Sequence, residues 1–221
     1  VLGLEDAIRF VVARGRLMGD LPPGGKMVAI GTDVEHARQW LVGREAEVSL
    51  ATVNGPQAVV ISGRAEAVEA VAELAQEAGL RTTPLEVSHA FHSPLMDPIL
   101  AELSQVAASM HIAPARIPIV SNVTGDFYTD RIEPAYWANH VRQAVLFHAG
   151  LEKIVEAGAV LLVEIGPHPA LTPAVATAFD TTQTQPVPTL KRDGKDFTNL
   201  LGALALLYVK GASLKFERQF W

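Results

Sequence analysis

Lys26-Met27-Val28-Ala29-Ile30 opens the stretch that decides the fold, and Leu80 to Val87 closes it. The first run is apolar, short and β-branched, and reads as a strand. Thr32/Asp33 then cap a helix carrying Ala37, Trp40 and Leu41. Val48 to Val53 and Ala58 to Ser62 are two more strands, joined by the turn signal Asn54-Gly55-Pro56. A second helix places Val68, Val71, Leu74 and Ala75 on one face and ends at Gly79. Leu80 to Val87 supplies the last strand. The order β-α-β-β-α-β predicts a ferredoxin-like subdomain over residues 26–87.

Working outward, the residues before this block predict a helix. Leu4, Ala7, Ile8, Val11, Val12 and Leu17/Met18 recur at helical steps, and Gly19 to Gly25 with Pro22-Pro23 ends it. After the block, Ser88-His89-Ala90-Phe91-His92-Ser93-Pro94 leads to a helix with Ile99, Leu100, Leu103 and Val106. Ile117 to Val123 reads as a strand, Tyr136 to Val141 and Ala149 to Ala157 as helices, and Val160 to Ile165 as a strand buried on both faces. Strand and helix alternate, so the larger part is an α/β layer, residues 1–25 and 88–185, interrupted by the insert. Thr181 to Pro188 reads as a linker, and a helix with Phe197, Leu200, Leu201, Leu204 and Leu207 follows the charged turn Lys191 to Lys195.

Composition narrows the function. With 49% hydrophobic and 19% charged residues in 221, and a mean hydropathy of +0.21, the chain builds a core rather than a disordered coil. A formal net charge of −6 with no Lys/Arg cluster argues against nucleic acid. The longest apolar run, Leu200 to Val209, is too short to cross a bilayer. The absence of cysteine excludes disulfides, zinc–thiolate sites and a thiol nucleophile. Nothing argues for export, and a cytoplasmic location is expected. Val1 is not an initiator and Phe220-Trp221 is an apolar end, so the chain reads as a piece of something longer.

Few residues offer chemistry. His89 and His92 sit three apart in a loop segment, as a general base or as polar loop residues. That spacing does not suit zinc, and no metal is expected. Arg14 interrupts an apolar helix face: it is either a snorkelling arginine or a fork for a substrate carboxylate. Asn54 belongs to a hairpin turn first and to a binding feature second. Gly166-Pro167-His168-Pro169 follows a strand and is either a rigid turn or part of a cleft. No G-x-S-x-G nucleophile elbow occurs.

The chain resembles the acyltransferase domain of modular polyketide synthases, related to bacterial malonyl-CoA:acyl carrier protein transacylases. The resemblance rests on Leu4-Glu5-Asp6-Ala7 with Ala13-Arg14-Gly15-Arg16-Leu17-Met18, on Val53-Asn54-Gly55-Pro56, and on Val87-Ser88-His89-Ala90-Phe91-His92-Ser93-Pro94-Leu95-Met96. It continues through Ser121-Asn122-Val123-Thr124-Gly125, Tyr136-Trp137, Glu164-Ile165-Gly166-Pro167-His168-Pro169 and Pro188-Thr189-Leu190, in the family's order. It implies an α/β-hydrolase-like large subdomain carrying the ferredoxin-like insert. It also implies transfer of a malonyl group from malonyl-CoA, through a serine ester, to the phosphopantetheine thiol of an acyl carrier protein. No bound cofactor is implied; a neighbouring ketosynthase and other synthase domains are implied as partners.

His92 matches the family's catalytic base and Arg14 the arginine that binds the extender carboxylate. His140 falls near the group that supports the catalytic histidine by hydrogen bonding. His89-Ala90-Phe91-His92 is similar to the malonyl version of the specificity motif, in which the bulk of Phe91 leaves no room for a methyl branch. The tail from Pro186 resembles the linker, residues 186–221, that packs back toward the ketosynthase. The family's Gly-His-Ser-x-Gly motif, which would lie upstream of Val1, has no counterpart in these residues, so the expectation is an enzyme completed by an upstream acyltransferase segment and inactive as this piece alone. Two rivals predict other outcomes: a non-catalytic remnant serving as scaffold or docking domain, and a hydrolase using His92 with water. A serine motif in upstream sequence discriminates against the first. Turnover without a carrier protein would identify the second.

Overall fold

The structure, a computed structural model, describes residues 1–128, 132–192 and 194–214. It divides into two compact units, 1–153 and 154–221.

In the first unit a four-stranded antiparallel sheet forms from β1 (Gly25–Ile30), β2 (Val48–Gly55), β3 (Ala58–Arg64) and β4 (Thr82–Pro84), in the order β2-β3-β1-β4. With α2 (Val34–Leu41) and α3 (Ala65–Glu77) this is the ferredoxin-like order read from the sequence. Asp33 caps α2 by accepting the backbone N–H of His36 at 2.9 Å. At the end of α3, Gly79 takes φ +78°, a left-handed conformation that glycine adopts without Cβ strain.

Alternate residues of the central strands serve opposite faces. Val28, Ile30, Val59 and Ile61 pack with α2 and α3, while Met27, Ala51 and Val60 form a second cluster against Ala29 and Phe91. Both faces are covered, which is why β3 reads as a continuous apolar run. Two details differ from the expectation. The hairpin turn is at Pro56-Gln57, with Asn54 and Gly55 still in β2 beside a register shift. The last strand shrinks to three residues, Thr82–Pro84, with one further bond from the Leu85 N–H to the Met27 carbonyl at 2.9 Å.

The rest of this unit is helical: α1 (Leu4–Gly19), a 3-10 helix (Pro94–Ile99), α4 (Leu100–Ala108), α5 (Pro134–Arg142) and α6 (Phe147–Glu156), whose last turn passes into the second unit. Phe10, Leu17, Met18, Met96, Leu103, Ile112 and Val141 build its core. The apolar stripe of α1 is not what is buried. Leu4, Ile8, Val11 and Val12 are exposed, and Phe10, Leu17 and Met18 point inward. The strand expected over Ile117 to Val123 is absent: Pro118 interrupts it, and only a single bridge, Val120 to Phe127, forms before the turn at Ser121.

The second unit holds β5 (Leu161–Glu164), α7 (Thr172–Ala178), β6 (Gln185–Pro188) and α8 (Asp196–Val209). β5 and β6 pair in parallel. Half of the expected linker, residues 185–188, is therefore strand. Val160, Val163 and Ile165 are exposed, which corrects the reading of a strand buried on both faces. The Glu164 carboxylate accepts from the N–H groups of Ala170, Leu171 and Thr172 and from the Thr172 hydroxyl, at 2.7–2.9 Å. Gly166-Pro167-His168-Pro169 is thus a loop bracketed by its own anion lock. Asp193, in the expected charged turn, and Lys215 to Trp221, including the Phe220-Trp221 pair, lie outside the described residues.

Candidate active site

The loop 88–93 is fixed before it does any chemistry. Ser93 is fully buried; its hydroxyl donates to the Ala90 carbonyl at 2.6 Å and accepts from the Leu95 N–H at 3.2 Å. Pro94 then starts the 3-10 helix. Gly25 lies against the loop. A Cβ there would stand 2.5 Å from the Cβ of Ala90, so only glycine lets β1 approach so closely. Phe91 packs both into the helical core and onto the sheet face of Met27, Ala51 and Val60, wedging the loop between the two subdomains.

Held this way, His92 adopts φ +59°, the one positive value outside glycine among the described residues. Left-handed backbone costs a side-chain-bearing residue about 1–2 kcal/mol, and such strain persists where surroundings over-determine it. The ring is fixed as well. Nδ1 lies 2.9 Å from the backbone carbonyl of Gln143. A carbonyl only accepts, so Nδ1 carries the proton and Nε2 carries the lone pair. Nε2 has no hydrogen-bond partner among the described residues. His89 is arranged differently: its Nε2 lies 3.1 Å from the Leu21 carbonyl and is spent as a donor to it.

The histidine expected to support His92 does not touch it by hydrogen bond. His140, in the last turn of α5, stands edge-on with ring centroids 6.3 Å apart. The Gln143 carbonyl, just beyond the helix end, does that work. A backbone acceptor leaves no mark in side-chain patterns, so sequence reasoning had no signal for it. His140 itself rests against Tyr136 at 5.7 Å, part of a ring cluster continuing to Trp137 and Phe10.

Arg14 completes the cluster. It is half-buried, and no carboxylate pairs with it among the described residues. Burial lowers its pKa from the ordinary arginine value but leaves a guanidinium charged at neutral pH. Its charge reaches both histidines. His92 is pushed below 6.5 by burial first, with the Gln143 bond opposing and Arg14 adding to the fall. His140 is lowered by burial, then by Arg14, then by His92. The site thus holds an uncompensated cation beside neutral imidazoles, one of them with a free lone pair.

The structure therefore brings Arg14, His92 and His140 together, with His89 and Phe91 on the same loop as His92. Asn54 is elsewhere: it lines a pocket of about 210 Å³ with Gln57 and Arg81 at the end of the sheet. Among the described residues no group of three or more His, Asp or Glu could hold a metal ion. No described helix is long and apolar enough to cross a membrane.

Comparison with known proteins places this geometry. The acyl transferase domain family matches residues 1–213. The spectinabilin polyketide synthase system protein NorB of Streptomyces orinoci is 42% identical over all of this chain, which spans 10% of that protein. Polyketide synthase GfsB of Streptomyces halstedii is 43% identical over all of the chain, 4% of its own length. Among solved structures, the acyltransferase domain from the second module of the salinomycin polyketide synthase superposes with a TM-score of 0.94 at 40% identity, covering 96% of this chain and 50% of that one. The malonyl CoA-acyl carrier protein transacylase of Clostridium perfringens gives 0.82 at 28% identity, covering 93% and 66%. The chain spans a tenth or less of these synthases and about half of the salinomycin domain. The family match over nearly the whole length, relatives more than 40% identical across the chain and the shared α/β fold agree: the chain belongs to the acyl transferase domain family, in the form found in modular type I polyketide synthases.

Proposed function

We propose that this chain is the part of an acyltransferase that carries the general base and the carboxylate receptor, and that the reaction moves a malonyl group from coenzyme A to the phosphopantetheine thiol of an acyl carrier protein. The observation that carries the reading is Arg14: a half-buried guanidinium with no acidic partner among the described residues, in electrostatic reach of a histidine whose Nε2 has no partner among them either.

In the first half-reaction His92 Nε2 takes the proton of a serine hydroxyl as its oxygen attacks the thioester carbonyl. The bond to sulfur breaks, and coenzyme A leaves with that proton. In the second, His92 takes the proton of the carrier thiol, the thiol attacks the serine ester, and the proton returns to serine. The serine is a group outside these 221 residues, which contain no G-x-S-x-G. The free carboxylate of malonyl sits on Arg14 as a charge-assisted pair. That pairing neutralises the charge depressing His92, so the base strengthens when the right substrate is bound. Phe91, beside His92 in the chain and wedged in two clusters, restricts the space for a methyl branch. One methyl is worth ~1–3 kcal/mol in such a pocket. The substrate's source, the carrier protein and the adjoining ketosynthase make this a module of a larger assembly, and the domain needs no cofactor of its own.

Intact-protein mass spectrometry tests the division of labour. Incubated with malonyl-CoA, this chain alone gains no acyl adduct; joined to a serine-bearing acyltransferase segment it does, and passes the group to a holo carrier protein. A stable malonyl adduct on a serine of this chain, or release of malonate without carrier, contradicts the proposal.

A further inference from the structure

We propose that Arg142 is the positioning residue for the base: it fixes the Gln143 carbonyl that holds the Nδ1–H of His92. The inference rests on the reading of His92 as the base, and it arises from how three elements meet around one guanidinium. Arg142 is the last residue of α5. Its Nε donates to the Asp97 carboxylate at 2.6 Å, and its Nη1 lies 3.5 Å from the Ser49 hydroxyl. Asp97 belongs to the 3-10 helix that begins just after His92, and Ser49 to β2 of the ferredoxin-like sheet. The Arg142 side chain is mostly buried, while its partner Asp97 is half-exposed at the rim.

On the other side of Gln143 the chain is tied again. The Val145 N–H donates to the Ala51 carbonyl at 2.8 Å, and the Val145 carbonyl accepts from the Val53 N–H at 2.9 Å, so Val145 makes a single parallel bridge to β2 at Thr52. The Gln143 N–H closes α5 on the Asn139 carbonyl at 2.7 Å. The Gln143 carbonyl is therefore suspended between an anchored guanidinium and the bridge at Val145, and accepts from His92. His92 needs that acceptor: its backbone is left-handed, and nothing else among the described residues hydrogen-bonds its ring. The planar fork of arginine reaches both elements, as a lysine ammonium does not with the same geometry.

The tautomer of His92 reads this directly, without substrate or serine. Long-range 1H–15N NMR of the chain should show His92 as a single Nδ1–H tautomer. Arg142→Ala should convert it to a tautomer mixture, Arg142→Lys should restore part of the signal, and Asp97→Asn should follow Arg142→Ala in weaker form. In malonyl loading by the completed domain, Arg142→Ala should lower kcat about 10- to 100-fold, the order expected for a misplaced reacting group, with KM for the acyl-CoA little changed. A folded Arg142→Ala chain that keeps the single tautomer overturns the proposal. If that variant does not fold, Asp97→Asn decides, and retention of the wild-type tautomer there overturns it equally. Loss of the tautomer in variants of a chain whose completed wild-type domain loads no malonyl would sink the acyltransfer reading and leave this one standing.

Discussion

The Nδ1–H of His92 donates to the backbone carbonyl of Gln143 over 2.9 Å, and that bond leaves the Nε2 lone pair without a partner among the described residues, within electrostatic reach of Arg14. The neighbouring His89 uses its own Nε2 on the Leu21 carbonyl. Two histidines of one loop are thus made chemically unequal by which backbone carbonyl each one meets.

His92→Ala should reduce acyl loading in the completed domain by about 10²–10⁴-fold, the usual contribution of a positioned base. His89→Ala should cost far less, because it removes a loop tether rather than a lone pair. Loading rates measured by quenched-flow mass spectrometry check this; equal losses would mean the two were assigned wrongly.

The imidazole of His92 should titrate below 6.5, because burial and the Arg14 charge both disfavour its cation. The base is the neutral form, so the decline in loading on acidification should lie at lower pH than for an ordinary, exposed histidine. Arg14→Ala removes the charge that adds to the effect of burial, and the His92 midpoint should move up. NMR titration of the ring carbons in both proteins gives the answer; a midpoint that falls or stays fixed in the variant contradicts the electrostatic account.

Glu164 predicts an acid-side effect on stability. Burial disfavours its anion, but the bonds from Leu171, Thr172 and Ala170 outweigh that and hold the carboxyl at about 2, against an ordinary 4.5. A depressed carboxyl contributes stability that is fully present above pH 4.5 and is lost as pH falls toward 2. Glu164→Gln should lower the Tm at neutral pH, by ~2–4 °C for each kcal/mol lost in a chain of this size. It should also flatten the decline between pH 4.5 and 2. Thermal melts across that range test it, and parallel curves for the two proteins would refute the anion lock.

The ferredoxin-like block was legible because its periods are local: runs of alternating or continuous apolar residues bounded by Asp33, Pro56 and Gly79. The burial of α1 was not. Its most regular stripe, Leu4, Ile8, Val11 and Val12, faces solvent, since periodicity reports that a face is apolar and not which partner covers it. The strand read into Ile117 to Val123 failed for a related reason: an apolar run containing Pro118 lacks the donors for a ladder. Thr181 to Pro188 erred the other way, because a polar, proline-bearing segment can still pair where a neighbouring strand offers an edge, as β5 does to residues 185–188. In the site, Arg14 was visible as a charge on an apolar helix face, whereas spacing did not separate His92 from His89 and only the family resemblance chose between them. Asn54 drew notice as a turn residue and lies in another pocket. The Gln143 carbonyl and the Arg142–Asp97 pair were invisible, one because it is backbone and the other because its partners are 45 residues apart.

The central claim is that Arg14 receives the free carboxylate of the acyl group. Malonyl has that carboxylate and acetyl does not, so comparing malonyl-CoA and acetyl-CoA loading rates for wild type and Arg14→Ala isolates it. With charged hydrogen bonds worth ~1.5–3 kcal/mol, malonyl loading should fall about 10- to 150-fold, acetyl loading should change little or rise, and Arg14→Lys should recover only part of the malonyl rate. Equal losses for both substrates would make Arg14 a structural residue of α1 and contradict the account.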